Sequence, residues 1–223
     1  MINYTTTFYF GPRRVQTPYS NTEDIYYTHI EQLSKIKYSD ITQFSFVFHS
    51  PLSENLQNNL ITEINNIPVT IYHRENMGMS YGGLGHVASL NLQFPYTFFM
   101  EDDYIPKIDY FDKYFLMMMR KDTVYVCSLK TNHAAMSNGL FKTIPLIDAM
   151  NSIGGFNQIK KEYGAAEQLG QIDLYHAISK YGKTEHIADN FSLTFLHNNG
   201  EIKTHGNLNA PRIIDAIQLY GAK

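Results

Sequence analysis

Phe94-Pro-Tyr-Thr-Phe-Phe-Met-Glu-Asp-Asp-Tyr-Ile-Pro106 is an apolar run that ends in three consecutive carboxylates, Glu101, Asp102 and Asp103. Residues 96–100 read as a β-strand, and the proline that follows ends any continuation. Adjacent carboxylates repel one another, and burying them without compensation is costly. At the carboxyl end of a strand they become tolerable when a hard divalent cation sits among them. Mg2+ and Mn2+ take such oxygen ligands and share them with water and substrate phosphates. An acidic surface turn ahead of a helix at Asp109 is the bland reading of the same residues.

Upstream, Arg74-Glu-Asn-Met-Gly-Met-Ser-Tyr-Gly-Gly-Leu-Gly-His86 links a strand at residues 69–72 to a helix expected over 82–93. Its glycines permit close backbone approach, and the N–H groups at a helix start can receive a diphosphate. The segment is neither a P-loop nor a G-x-G-x-x-G fingerprint. A plain structural turn fits it as well.

The same alternation runs through the first 130 residues. Strands are predicted at 5–10, 41–48, 69–72, 96–100 and 123–129, and helices at 23–35, from Ser50-Pro51 to Ile64, at 82–93 and at 109–120. This pattern predicts an α/β, Rossmann-like, mostly parallel sheet flanked by helices. Ligands of such sheets bind beyond the carboxyl ends of the strands. A less regular portion follows, with helices expected at 143–152, 165–180 and 213–220 and a strand at 191–196.

The chain has 223 residues, about 1.5 domain lengths, and reads as one domain. It carries 43% hydrophobic and 14% aromatic residues with a net charge of −3. That composition excludes a disordered chain and argues against a nucleic-acid binder, which needs a basic surface. Cys127, the single cysteine, can form neither an intrachain disulfide nor a thiolate zinc site. It reads as a buried structural thiol in a reducing, cytoplasmic compartment. Neither a membrane span nor a signal peptide is expected.

In combination, Glu75-Asn76-Met77-Gly78, the helix after it, the apolar strand and Glu101-Asp102-Asp103 resemble the donor half of GT-A-fold glycosyltransferases. Gly78 and Glu101 are 23 residues apart, and Gly154-Gly155-Phe156 resembles a Gly-Gly-Phe segment of the acceptor side. The resemblance implies one GT-A-like domain over 1–223. Its nucleotide-sugar half would span about 1–130, with an acceptor side and closing segment over about 131–223. It also implies a UDP- or GDP-sugar donor, a hydroxyl-bearing acceptor and a Mn2+ or Mg2+ cofactor. By position, Asp103 would ligate the metal. Glu101 would face ribose or metal-bound water, and Asp102 would hold a sugar hydroxyl. Asn76 and Gly78 would line the donor, Arg13 or Arg14 would meet phosphate or nucleotide, and His49 stands where relatives place an acidic residue near the base.

Inverting transfer needs a carboxylate to take the acceptor proton. Glu167 is the first candidate and Asp173 the second, and each reads equally as helix N-terminal charge. His197 or His205 would complete the metal site from a closing loop, with Lys203 near phosphate. Two other readings remain: a sugar-phosphate nucleotidyltransferase, whose glycine- and lysine-rich N-terminal loop is missing here, and a catalytically silent nucleotide- or carbohydrate-binding domain.

Overall fold

A computed structural model describes residues 1–9, 23–35, 40–102, 104–106, 110–120, 122–127, 138–155, 172–186, 193–196, 202–205 and 216–218. In chain order the elements are β1 (Ile2–Phe8), α1 (Glu23–Ser34), β2 (Ile41–Phe48), α2 (Glu54–Asn58), β3 (Glu63–Ile64), β4 (Ile67–His73), α3 (Met79–Leu90), β5 (Tyr96–Glu101) and β6 (Tyr104–Pro106). They continue with α4 (Tyr110–Met118), β7 (Thr123–Cys127), β8 (Asn138–Lys142), α5 (Thr143–Ser152), α6 (Leu174–Ile178), β9 (Lys183–His186), β10 (Leu193–Leu196), β11 (Ile202–His205) and β12 (Ala216–Gln218).

Eight strands form the main sheet in the order β3-β4-β2-β1-β5-β8-β7-β9. Pairs β1–β2, β1–β5, β2–β4 and β7–β9 are parallel, while β3 and β8 run against their neighbours. Six strands therefore end on the same edge, as expected of an α/β sheet whose crossovers are helices.

β1 is buried along its whole length, because it lies at the centre of the sheet with layers on both faces. Alternation sorts the side chains. Tyr4, Phe8, Phe98 and Met100 join a cluster containing Tyr26 of α1 and Tyr114 and Met117 of α4. Phe99, Tyr125, Cys127 and Phe141 join the opposite cluster, with Leu84 of α3, Leu146 of α5 and Ile178 of α6. Phe98 stacks on Tyr4 with centroids 5.3 Å apart and meets Tyr114 edge-on at 5.1 Å. His29 of α1 reaches the same layer, with Nε2 2.8 Å from the Tyr4 hydroxyl.

Several sequence expectations change, among them the start of α3, which lies at Met79 rather than at 82. The helix expected to reach Ile64 stops at Asn58, where the Asn59 side chain donates to the Asn55 carbonyl at 2.7 Å. Asn65 and Asn66, both at positive φ, then form a two-residue turn joining β3 to β4, the geometry of a tight hairpin. Leu56, Leu60, Ile61 and Ile64 still pack on one cluster, so their apolar spacing was read correctly and their shared helix was not. Within the helix expected at 213–220, the described residues Ala216–Gln218 form β12, paired antiparallel with β6. His205, expected in a loop, lies on β11, paired with β10. Of the helix expected at 165–180, the described part is the short α6. Strands β8 and β9 had no sequence expectation at all.

Phe98→Ala should cost about 3–5 kcal/mol of unfolding free energy in urea titration. Leu116→Ala, at a side chain 70% exposed, should stay within about 0.5 kcal/mol.

Candidate functional site

The carboxyl ends of β1, β2, β4 and β5 meet the start of α3. Gly78 sits at φ 73° and Met79 at φ 51°, so the chain passes through two successive left-handed residues as α3 begins. Glycine takes this conformation freely, whereas Met79 is strained there. Such strain clusters at ligand-binding turns. The turn is braced by Arg74, whose Nη1 donates to the Met77 carbonyl at 3.1 Å, and by the Arg74 N–H bonded to the Phe48 carbonyl. Burial lowers the Arg74 pKa. The Asn76 side-chain oxygen is buried and makes no hydrogen bond.

Helix starts present unsatisfied N–H groups and a partial positive charge. Glu101, the last residue of β5, meets this end: its carboxylate accepts a hydrogen bond from the Ser80 hydroxyl in the first turn of α3. Asp102 is buried and accepts from the Tyr9 backbone N–H at 3.1 Å, tying the end of β1 to the acidic turn. On the far side of that turn, Gln218 of β12 pairs with Tyr104. The C-terminal segment thus reaches the residue next to Asp103.

Beneath the first turns of α3 lies His49, 6% exposed, with both ring nitrogens buried and making no aligned hydrogen bond. A Cβ on Gly83 would stand 2.4 Å from Thr7 Cγ2 and 2.9 Å from His49 Nε2. Only a glycine allows the helix this close. Burial, and then the positive Arg74, push the His49 pKa down to about 4. The Glu75 backbone opposes the shift weakly, and His86 adds to it. The ring is therefore neutral near pH 7. His86, on α3, is shifted down by partial burial and by Arg74.

The structure brings Asn76, Gly78, Glu101 and Asp102 to one edge. Asp173 is half-buried immediately before Leu174 of α6. Lys203 and His205 lie on β11. Arg13, Arg14, Asp103, Glu167 and His197 lie outside the described residues. Among the described residues no three metal-ligating side chains converge. Sequence reasoning missed Ser80, the Tyr9 amide and Thr7. The expected helix began at 82, past Ser80, whereas α3 begins at Met79; nothing local marks a backbone amide either. His49, which stands where relatives place an acidic residue near the base, packs under α3.

No protein-family model matches the chain, and neither does a curated protein sequence. Solved structures do. An active-site mutant of LgtC superposes with a TM-score of 0.56 at 8% identity, covering 97% of this chain and 86% of that one. A putative glucose-1-phosphate thymidylyltransferase from Bacillus anthracis, in complex with a sucrose, gives 0.54 at 9% identity, over 83% of this chain and 86% of that one. TarS 1-349 of S. aureus in complex with UDP gives 0.51 at 12% identity, over 83% of this chain and 57% of that one. At such identities the likeness is one of fold. The chain has the GT-A-like fold that its motifs suggested.

Because the folded state holds His49 neutral, the unfolded chain binds the extra proton between pH 6.5 and about 4. Stability should therefore be full above pH 6.5 and fall as pH drops through that window. Thermal melts of wild type and His49→Leu should diverge there, the variant losing less on acidification. Parallel profiles would show that His49 is not the source.

Proposed function

We propose that this chain is a metal-dependent glycosyltransferase that moves a sugar from a nucleoside-diphosphate donor to an acceptor hydroxyl. The observation that carries this is the junction of the left-handed turn at Gly78, the start of α3 and the Glu101–Asp102 tip of β5. Helix N–H groups, the half-buried Glu101 and the buried Asp102 there offer complementary contacts to a diphosphate and to sugar hydroxyls. The GT-A-like fold supports the reading, since glycosyltransferases and nucleotidyltransferases that use it are among its structural neighbours.

Each residue then has a defined task. Asn76 contributes a buried carbonyl oxygen to the donor side. Glu101, oriented by Ser80, would accept from a ribose hydroxyl or metal-bound water, and Asp102, fixed by the Tyr9 amide, from a sugar hydroxyl. Arg13, Arg14 and Lys203 would neutralise phosphate charge. Asp103, with His197 or His205, would hold Mn2+ or Mg2+, whose hard-oxygen preference matches this carboxylate-rich turn. When bound, such an ion offsets charge on the departing diphosphate. Glu167, or else Asp173, would take the proton of the attacking hydroxyl.

Release of nucleoside diphosphate from a UDP- or GDP-sugar should require added Mn2+ or Mg2+ and should vanish in Asp103→Ala. Pyrophosphate release from a nucleoside triphosphate and a sugar phosphate would instead identify a nucleotidyltransferase, the reading favoured by the thymidylyltransferase likeness. Donor binding without turnover would leave a binding domain.

Glu167→Gln should retain donor affinity by calorimetry and lose transfer by about 10²–10⁴-fold. An unaffected transfer rate would pass the role to Asp173.

A further inference from the structure

Among the described residues, eight large apolar side chains are exposed, and Leu90, Leu92, Leu116, Met119, Ile144 and Tyr181 are six of them. Scattered singly they would need no explanation, but the topology gathers them. Leu90 ends α3 and Leu92 lies between it and β5; Leu116 and Met119 lie where α4 runs out before β7; Tyr181 precedes β9. Ile144 joins them because β8 runs in reverse. Lys142 pairs opposite Tyr96 at the start of β5, and the Thr143 N–H bonds the Pro95 carbonyl at 3.0 Å. All six therefore lie along the amino ends of β5, β7 and β9 and the carboxyl end of β8, on the edge opposite Glu101 and Asp102.

The charges along this edge are unequal. Arg120, Lys142, Lys180 and Lys183 accompany Asp122 and Glu185, the latter ion-paired with Arg120 at 3.6 Å, in a chain whose net charge is −3. Arg120 and Lys180 are exposed, as is Lys183 at the start of the outermost strand. A second copy docked on this edge would set these cations against their own equivalents. A nucleic acid would use the cations and leave the leucines in water. Apolar side chains interleaved with cations fit a surface with negative headgroups above an apolar layer.

We propose that the amino-end edge of the sheet docks on an anionic lipid bilayer, with Leu116, Met119, Leu90, Leu92 and Ile144 entering the headgroup–acyl boundary and Lys180 and Lys183 pairing with lipid phosphates. Strands of five to eight residues hold the opposite edge roughly 20 Å away, so the donor site faces the aqueous phase. This inference stands apart from the proposed reaction, since it uses none of the same residues.

The test is flotation of the full chain with vesicles of phosphatidylcholine alone and with about 30% phosphatidylglycerol added. Binding should need the anionic lipid and weaken as salt rises. Each cation is worth about fivefold near such a surface, so the double variant Lys180→Glu/Lys183→Glu should bind at least tenfold more weakly. Leu116→Ser/Met119→Ser should weaken binding at every salt concentration, with circular dichroism unchanged in both variants. No binding at low salt, equal binding to neutral vesicles, or indifference to both variants overturns the proposal. So does a wild-type dimer in light scattering that Leu116→Ser/Met119→Ser converts to monomer, which would assign the edge to a second copy.

Discussion

The contact between α3 and the central strand governs the geometry of everything around it. Gly83 lies over Thr7 and His49 where even a methyl group would collide, so the helix presses directly on the ends of β1 and β2. That closeness brings the first turn of α3 level with the end of β5, where Ser80 meets Glu101. A larger residue at position 83 would lift the helix and separate its partial positive charge from the carboxylate it faces. β1 accommodates the approach by turning Asn3, Thr5 and Thr7 towards α3 and its aromatic residues the other way.

That division has a cost. The hydroxyls of Thr5 and Thr7, the amide nitrogen of Asn3 and both nitrogens of His49 are buried without hydrogen-bond partners. Unmet polar groups of this kind are uncommon in stable interiors. Here they run from the start of β1 to the tip of β2, below α3, whose first residue is a strained Met79. Opposing this are the fully buried aromatics of the other face, among them Tyr4, Phe8, Phe44, Phe46 and Phe98, whose burial supplies the favourable apolar term. One face of the sheet is built for adhesion, the other for placing a helix end.

The alternating strands and helices up to residue 127 were legible because each apolar run is local and bounded. β2 begins and ends where its pattern does, as does α5 further along the chain, and α1 and β5 differ from expectation by a single residue. Elements whose stability comes from distant partners were not legible. β8 carries one apolar pair in five residues and exists because it fits between β5 and β7. β12 reads as a helix by spacing, yet it pairs with β6 across more than 100 residues of chain. The Asn65-Asn66 turn was locally encoded but masked by the helical spacing of the leucines and isoleucines around it.

Of the site, the carboxylates and the Gly78 turn were visible in the sequence by itself, because charge density at the end of an apolar strand and glycine before a helix are local chemical facts. So was the α/β class, which follows from the order of periodicities. Tertiary structure alone decided that Ser80 and the Tyr9 amide would hold those carboxylates, that His49 would be sealed beneath Gly83, and that six exposed apolar side chains would share one edge. Each depends on residues far apart in sequence brought together by strand order and direction, which no local pattern encodes.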